Sequence, residues 1–162
     1  MALRTPLMVI NLKTYLQGHG EAGFALCREM AAVAEASGAC LAAKGVNPEV
    51  RVVAVQAEAA PGGYRSWKQG SLVQAPMDTF AEGLATANGY ELPQRILREL
   101  LDDFVLVSED ELRYAIGLLI EKAHTLAEGA GAAATAGALK SKESIRGKKV
   151  AITISGANIT LN

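Results

Sequence analysis

The sequence predicts a three-layer open α/β fold of the Rossmann or flavodoxin-like kind. In this fold a mostly parallel sheet of about four strands carries helices on both faces. Two observations point to it. Short apolar runs rich in Val, Ile or Leu recur at residues 7–12, 50–55, 104–107 and 150–154, the pattern of strands buried on both faces. Segments of helical periodicity separate them, which requires right-handed crossovers between parallel neighbours. A length of 162 residues suits one domain with one core. No linker or internal repeat divides the chain, so residues 1–162 read as a single α/β domain.

Residues 7–12 are the first strand. Gln17-Gly18-His19-Gly20 breaks it, and Phe24, Cys27, Met30, Ala31 and Ala34 then recur at helical spacing. Ser37-Gly38 is a stop signal for this helix, because glycine accepts the left-handed cap conformation. The Ala-rich residues beyond equally permit the helix to continue to Lys44. Asn47-Pro48 turns the chain into the second strand, marked by Val50, Val52, Val53 and Val55. Pro61-Gly62-Gly63 is another turn, followed by a short helix over residues 64–69. Residues 71–78 are irregular, and residues 79–84 suggest a helical turn.

Pro93 suits the first position of a helix running to Leu101, since its missing N–H would lack a partner there. Residues 104–107 are the third strand. Ser108 and Glu111 have capping-box spacing, in which each side chain serves a free backbone donor of the other residue. Leu112, Ala115, Ile116, Leu119, Ala123 and Leu126 form the apolar stripe of the helix that follows. Gly129 and Gly131 interrupt before an Ala-rich helix to about Leu139. Residues 141–149 form a charged surface link to the last strand at 150–154.

Half of the residues are hydrophobic, a globular composition and not a disordered one. A net charge of -1 with scattered Lys and Arg gives no reason to expect nucleic acid as a partner. No apolar run approaches the roughly 20 residues that cross a bilayer, so no membrane is expected either. With no leader segment in view, a cytoplasmic location is the expectation. Cys27 and Cys40 lie in apolar helical surroundings and read as buried, inert thiols. His124 and Glu128 meet on one face if their helix persists that far. Two ligands do not make a metal site, and no metal is expected. Glu109, Asp110 and Glu111 are accounted for by the helix dipole. Gly18-His19-Gly20 before a helix could hold a small anion. An open sheet edge leaves room for a homodimer.

Several segments carry a family resemblance. They are Ala42-Ala43-Lys44-Gly45-Val46-Asn47-Pro48-Glu49-Val50-Arg51-Val52, Thr79-Phe80-Ala81-Glu82-Gly83-Leu84-Ala85, and Leu100-Leu101-Asp102-Asp103-Phe104-Val105-Leu106-Val107-Ser108-Glu109-Asp110-Glu111. Glu128-Gly129-Ala130-Gly131-Ala132 and Ser155-Gly156-Ala157-Asn158 follow in order. Residues 41–162 thereby resemble the last part of threonine dehydratase, a pyridoxal-phosphate enzyme of fold type II. The resemblance implies cofactor-binding roles for Ser155, Gly156 and Asn158. Ser155 would contact the pyridine nitrogen through a neutral hydroxyl, and Gly156 and Asn158 would shape its turn. Ala157 departs from the family's second glycine. The family's cofactor lysine segment, its small domain and its tetraglycine phosphate loop are not among these residues. Lys13, Lys44 and Lys68 are the lysines considered as substitutes. Gln56 stands at what looks like the first acidic ligand of the family's optional metal site.

At the other end, Val9-Ile10-Asn11-Leu12-Lys13-Thr14-Tyr15 and Val33-Ala34-Glu35-Ala36-Ser37-Gly38-Ala39 resemble the first βα unit of triosephosphate isomerase, especially of the archaeal kind. This covers residues 1–40 and implies phosphosugar contacts for Asn11 and Lys13. An eightfold barrel needs about 250 residues. The combined expectation is a chimeric or engineered α/β domain, joined from unrelated enzyme fragments, without catalytic residues, activity or cofactor. The alternatives are a pyridoxal-phosphate-binding, threonine dehydratase-like ammonia-lyase remnant and a phosphate or phosphosugar binder.

Overall fold

The computed structural model describes residues 7–11 and 38–159. The expected helix around Phe24 to Ala34, the Gly18-His19-Gly20 loop, Cys27 and Lys13 lie outside the described residues. Four strands form one parallel sheet in the order β3-β2-β1-β4. They are β1 (Leu7–Asn11), β2 (Arg51–Ala57), β3 (Asp103–Val107) and β4 (Val150–Ile152). Val9 lies opposite Val53 on one side and Ile152 on the other. All four apolar runs are strands, as expected, and their parallel pairing matches the predicted α/β class.

Helix α1 is described over residues 38–46. Gly38 therefore lies within a helix that extends over the Ala-rich residues past Lys44. Helix α2 (Gly62–Gln69) ends at Gly70, whose φ of 74° is left-handed. Helix α3 is Glu91–Leu100. Pro93 is its third residue, not its first, but the N–H of that position also lacks an acceptor within the helix. Residues 79–84 supply only a 3-10 turn, Glu82–Leu84. Helix α4 is Glu109–Ala123, and both capping-box bonds are present. The Glu111 N–H donates to Ser108 Oγ at 3.2 Å, and the Ser108 N–H donates to Glu111 Oε2 at 2.7 Å. His124 takes a φ of 51° and ends this helix. Leu112, Ala115 and Leu119 are buried as the stripe requires, whereas Leu126 lies beyond the helix and is exposed.

Helix α5 (Gly129–Lys140) begins at the glycines expected to interrupt it. Residues 129–138 of α5 are all buried. Its small residues let the backbone approach the sheet: a Cβ built on Gly137 would stand 2.5 Å from Val55 Cγ2. The short helix α6 (Lys142–Ile145) lies inside the charged link.

Successive strand residues face opposite sides. On β2, Val55 faces Gly137 of α5, while Gln56 faces Gly63 and Tyr64 of α2. Helices therefore cover both faces. Tyr64 and Trp67 of α2 pack on Phe104 of β3, with ring centroids 5.6 and 5.8 Å apart. At the amino edge of the sheet, the Val52 N–H donates to Asp102 Oδ2, which also pairs with Lys44 Nζ, each at 2.7 Å. No helix among the described residues is long and apolar enough to cross a membrane.

Candidate functional site

In a parallel sheet with alternating connections, ligands gather at the carboxyl edge of the strands. Here that edge carries the turn after β4. Gly156 has a φ of 68°, a conformation glycine accepts and most residues resist. The turn rests on the first turn of α5. The Glu128 N–H donates to Gly156 O at 3.1 Å. The Asn158 N–H donates to Glu128 Oε2 at 2.9 Å. A Cβ on Gly131 would meet Ser155 O at 2.0 Å and Gly156 O at 2.6 Å, so only glycine admits this approach. Ser155 and Gly156 are half-buried, and Asn158 is exposed.

A second segment reaches the same helix end. A Cβ on Gly129 would stand 2.8 Å from Phe80 Cε2 and 2.9 Å from Ala81 Cβ. Glu109 holds that segment in place. Thr79 Oγ1 donates to Glu109 Oε1 at 2.7 Å, and the Phe80 N–H donates to Glu109 Oε2 at 3.0 Å. The Ala81 N–H closes a local turn onto Thr79 Oγ1 at 3.2 Å. Glu109 is therefore a tether between α4 and residues 79–81 as well as a first-turn carboxylate. Its spacing in the sequence offers no signal of this.

The other predicted residues fall elsewhere. Gln56 is fully buried. Its Nε2 donates to Thr86 Oγ1 at 3.0 Å, and its Oε1 accepts the Tyr64 N–H at 2.9 Å. Both ends of the amide are engaged in holding α2 and the Thr86 loop at the end of β2. His124 closes α4, so it and Glu128 do not share a helix face. Glu128 is the residue that precedes α5. Lys44 is at the amino edge with Asp102, the end opposite the Ser155 turn. Lys68 lies in the last turn of α2. Asn11 is the last residue of β1 and pairs with Val55 in the sheet register. Among the described residues no three His, Cys, Asp or Glu side chains come together as a metal centre would need.

Lys140 at the end of α5 bridges Glu58 Oε1 at 3.1 Å and Glu111 Oε2 at 2.9 Å. Burial pushes the Glu111 carboxyl up, but the Ser108 N–H and the Lys140 ammonium outweigh it and hold the group below its ordinary value. Burial likewise works against the Lys140 charge, and its bonds to Glu111 and Glu58 overcome this and raise it. These three groups tie the end of β2, α4 and the last turn of α5 together.

The candidate turn places a hydroxyl residue on a glycine-dependent bend that is held from below by a helix end. A family model described as pyridoxal-phosphate dependent enzyme matches residues 30–156. The L-threonine ammonia-lyase of Thermotoga maritima is 40% identical over 127 residues, which are 78% of this chain and 31% of that protein. The L-threonine ammonia-lyase of Geobacter sulfurreducens is 32% identical over 155 residues, 89% of this chain and 39% of that protein. The crystal structure of a threonine deaminase from T.th. superposes with a TM-score of 0.73 at 27% identity, covering 96% of this chain and 51% of that one. The chain thus spans about a third of the length of the curated relatives named here.

These matches overturn the expectation of an engineered chimera, and the family they show does not support the expectation of no cofactor. The Geobacter match takes in 89% of the chain and the solved fold 96%, so β1 belongs to the same fold as the strands after it. Isomerase-like and dehydratase-like βα units share handedness and apolar pattern, which is why a short stretch resembles the wrong family. The family is described by pyridoxal phosphate, the cofactor that the sequence suggests only as the alternative to none. The chain belongs to the pyridoxal-phosphate dependent enzymes.

Proposed function

We propose that this chain supplies the ring-side wall of a pyridoxal-phosphate site in an ammonia-lyase acting on a hydroxy amino acid such as threonine. Its similarity to L-threonine ammonia-lyases supports the reaction class. The observation that carries the reading is the Ser155-Gly156-Asn158 turn, pinned over the start of α5 at the carboxyl edge of the sheet. When bound, pyridoxal phosphate supplies an electron sink for charge developing at the α-carbon of the amino acid. Ser155 offers a neutral hydroxyl to the pyridine nitrogen and orients the ring without fixing a proton on it. Gly156 gives the bend that brings this hydroxyl to the edge. Asn158 anchors the far side of the bend through its backbone N–H.

The test is a titration of the full chain with pyridoxal phosphate, followed by cofactor absorbance and Trp67 fluorescence. Saturable binding is expected. Ser155→Ala is expected to weaken it about fivefold, the worth of one neutral hydrogen bond. A wild-type chain that never saturates overturns the reading.

A further inference from the structure

We infer that Glu128 and Gly131 are positioning residues that set where the Ser155 hydroxyl stands, an inference that rests on the ammonia-lyase reading above. Glu128 holds the turn on both sides of Ala157. Its N–H holds Gly156 O, and its carboxylate accepts the Asn158 N–H. A carboxylate acceptor makes this bond stronger than a neutral one. Glu128 stands at the N-cap of α5 yet makes no side-chain capping bond to that helix. Its carboxylate serves the turn instead.

Gly131 sets the depth. Real Cβ atoms essentially never come within 3.0 Å of a neighbour, and a Cβ here would be 2.0 Å from Ser155 O. Any side chain forces the Ser155 peptide back by about an ångström. Gly131 has no positive φ that would call for glycine, and glycine is a poor helix former. Close approach of the turn is what this position needs. Glu128 therefore fixes the turn laterally, and Gly131 lets it sink onto the helix end. Neither residue has to touch the cofactor.

The test uses the full chain and Glu128→Ala, Glu128→Gln and Gly131→Ala. Three quantities are read: amide exchange at Asn158 by NMR, the dissociation constant for pyridoxal phosphate, and the urea midpoint. Glu128→Ala is expected to speed Asn158 exchange about tenfold and weaken the cofactor by a similar factor. Glu128→Gln keeps an acceptor oxygen and is expected to restore both to within about twofold. Gly131→Ala is expected to weaken the cofactor about tenfold and, because its methyl overpacks the Ser155 and Gly156 carbonyls, to lower the urea midpoint as well. Unchanged cofactor affinity in both alanine variants overturns the inference, as does a Glu128→Gln variant no better than Glu128→Ala. If the wild-type chain does not bind pyridoxal phosphate, the ammonia-lyase reading fails by itself. Asn158 exchange then decides: acceleration in Glu128→Ala supports the clamp, and no change overturns it.

Discussion

Cys40 is fully buried, and burial pushes its thiol up to about 11, with Lys44 pulling it down and Asp102 pushing it up again. The thiolate is the reactive form, so this thiol is inert near neutral pH. In a Cys27→Ser background, Cys40 is expected to resist a disulfide reagent at about pH 8 until urea unfolds the protein. Reaction at the same rate with and without urea would contradict the burial. This residue is legible from its apolar helical setting, and so is the Ser108–Glu111 capping box, because both are local patterns. The partners of Glu109 and Glu128 are not legible. Glu109 reaches Thr79 and Glu128 reaches Asn158, each across 30 residues, and no spacing rule links positions so far apart. The family resemblance puts Gln56 where a metal ligand would be expected, whereas its amide closes a buried network with Thr86 and Tyr64.

Among the elements, α5 shows best what sequence patterns convey and what they miss. Its glycines suggest an interruption because glycine is a poor helix former. They lie inside the helix because Phe80, Ala81, the Ser155 turn and Val55 press against it. Gly137→Ala tests this balance. Alanine raises helix propensity by about 1 kcal/mol, but the new methyl meets Val55, whose branched side chain is stiff. Overpacking of this kind costs about 1–3 kcal/mol, so the urea midpoint is expected to fall. A rise would show that Val55 moves aside without cost. The strands are legible because each is an apolar run. The end of α4 is not, since Leu126 continues the apolar pattern past the stop at His124. The helical turn expected over residues 79–84 is confined to Glu82–Leu84, because Glu109 draws the Thr79 side chain and the Phe80 N–H into a tethered loop.

Across the molecule, Lys140 joins the end of β2 to the start of α4. Because folding lowers the Glu111 value, its contribution is present above the ordinary 4.5 and is lost as pH falls through the folded value. Because folding raises the Lys140 value, that contribution is present below the ordinary 10.5 and is lost as pH rises through the folded value. Lys140→Met is expected to make both limbs of a plot of urea midpoint against pH shallower. Partial exposure keeps the change small. An acid limb as steep as in the wild type would count against the bridge. The parallel class is readable at this scale, but the strand order is not, because packing between distant segments decides it. The shared form of βα units also hides the single origin of the sheet. The order β3-β2-β1-β4 puts β1 inside the sheet, while β4 pairs with β1 alone. About 140 residues separate these two strands, and a ribosome adding roughly 5–20 residues per second spends on the order of ten seconds between them. Throughout that interval the margin of β1 that β4 will cover stays unpaired, and an open strand margin is a template for other chains, so the arrival of β4 is what removes that template.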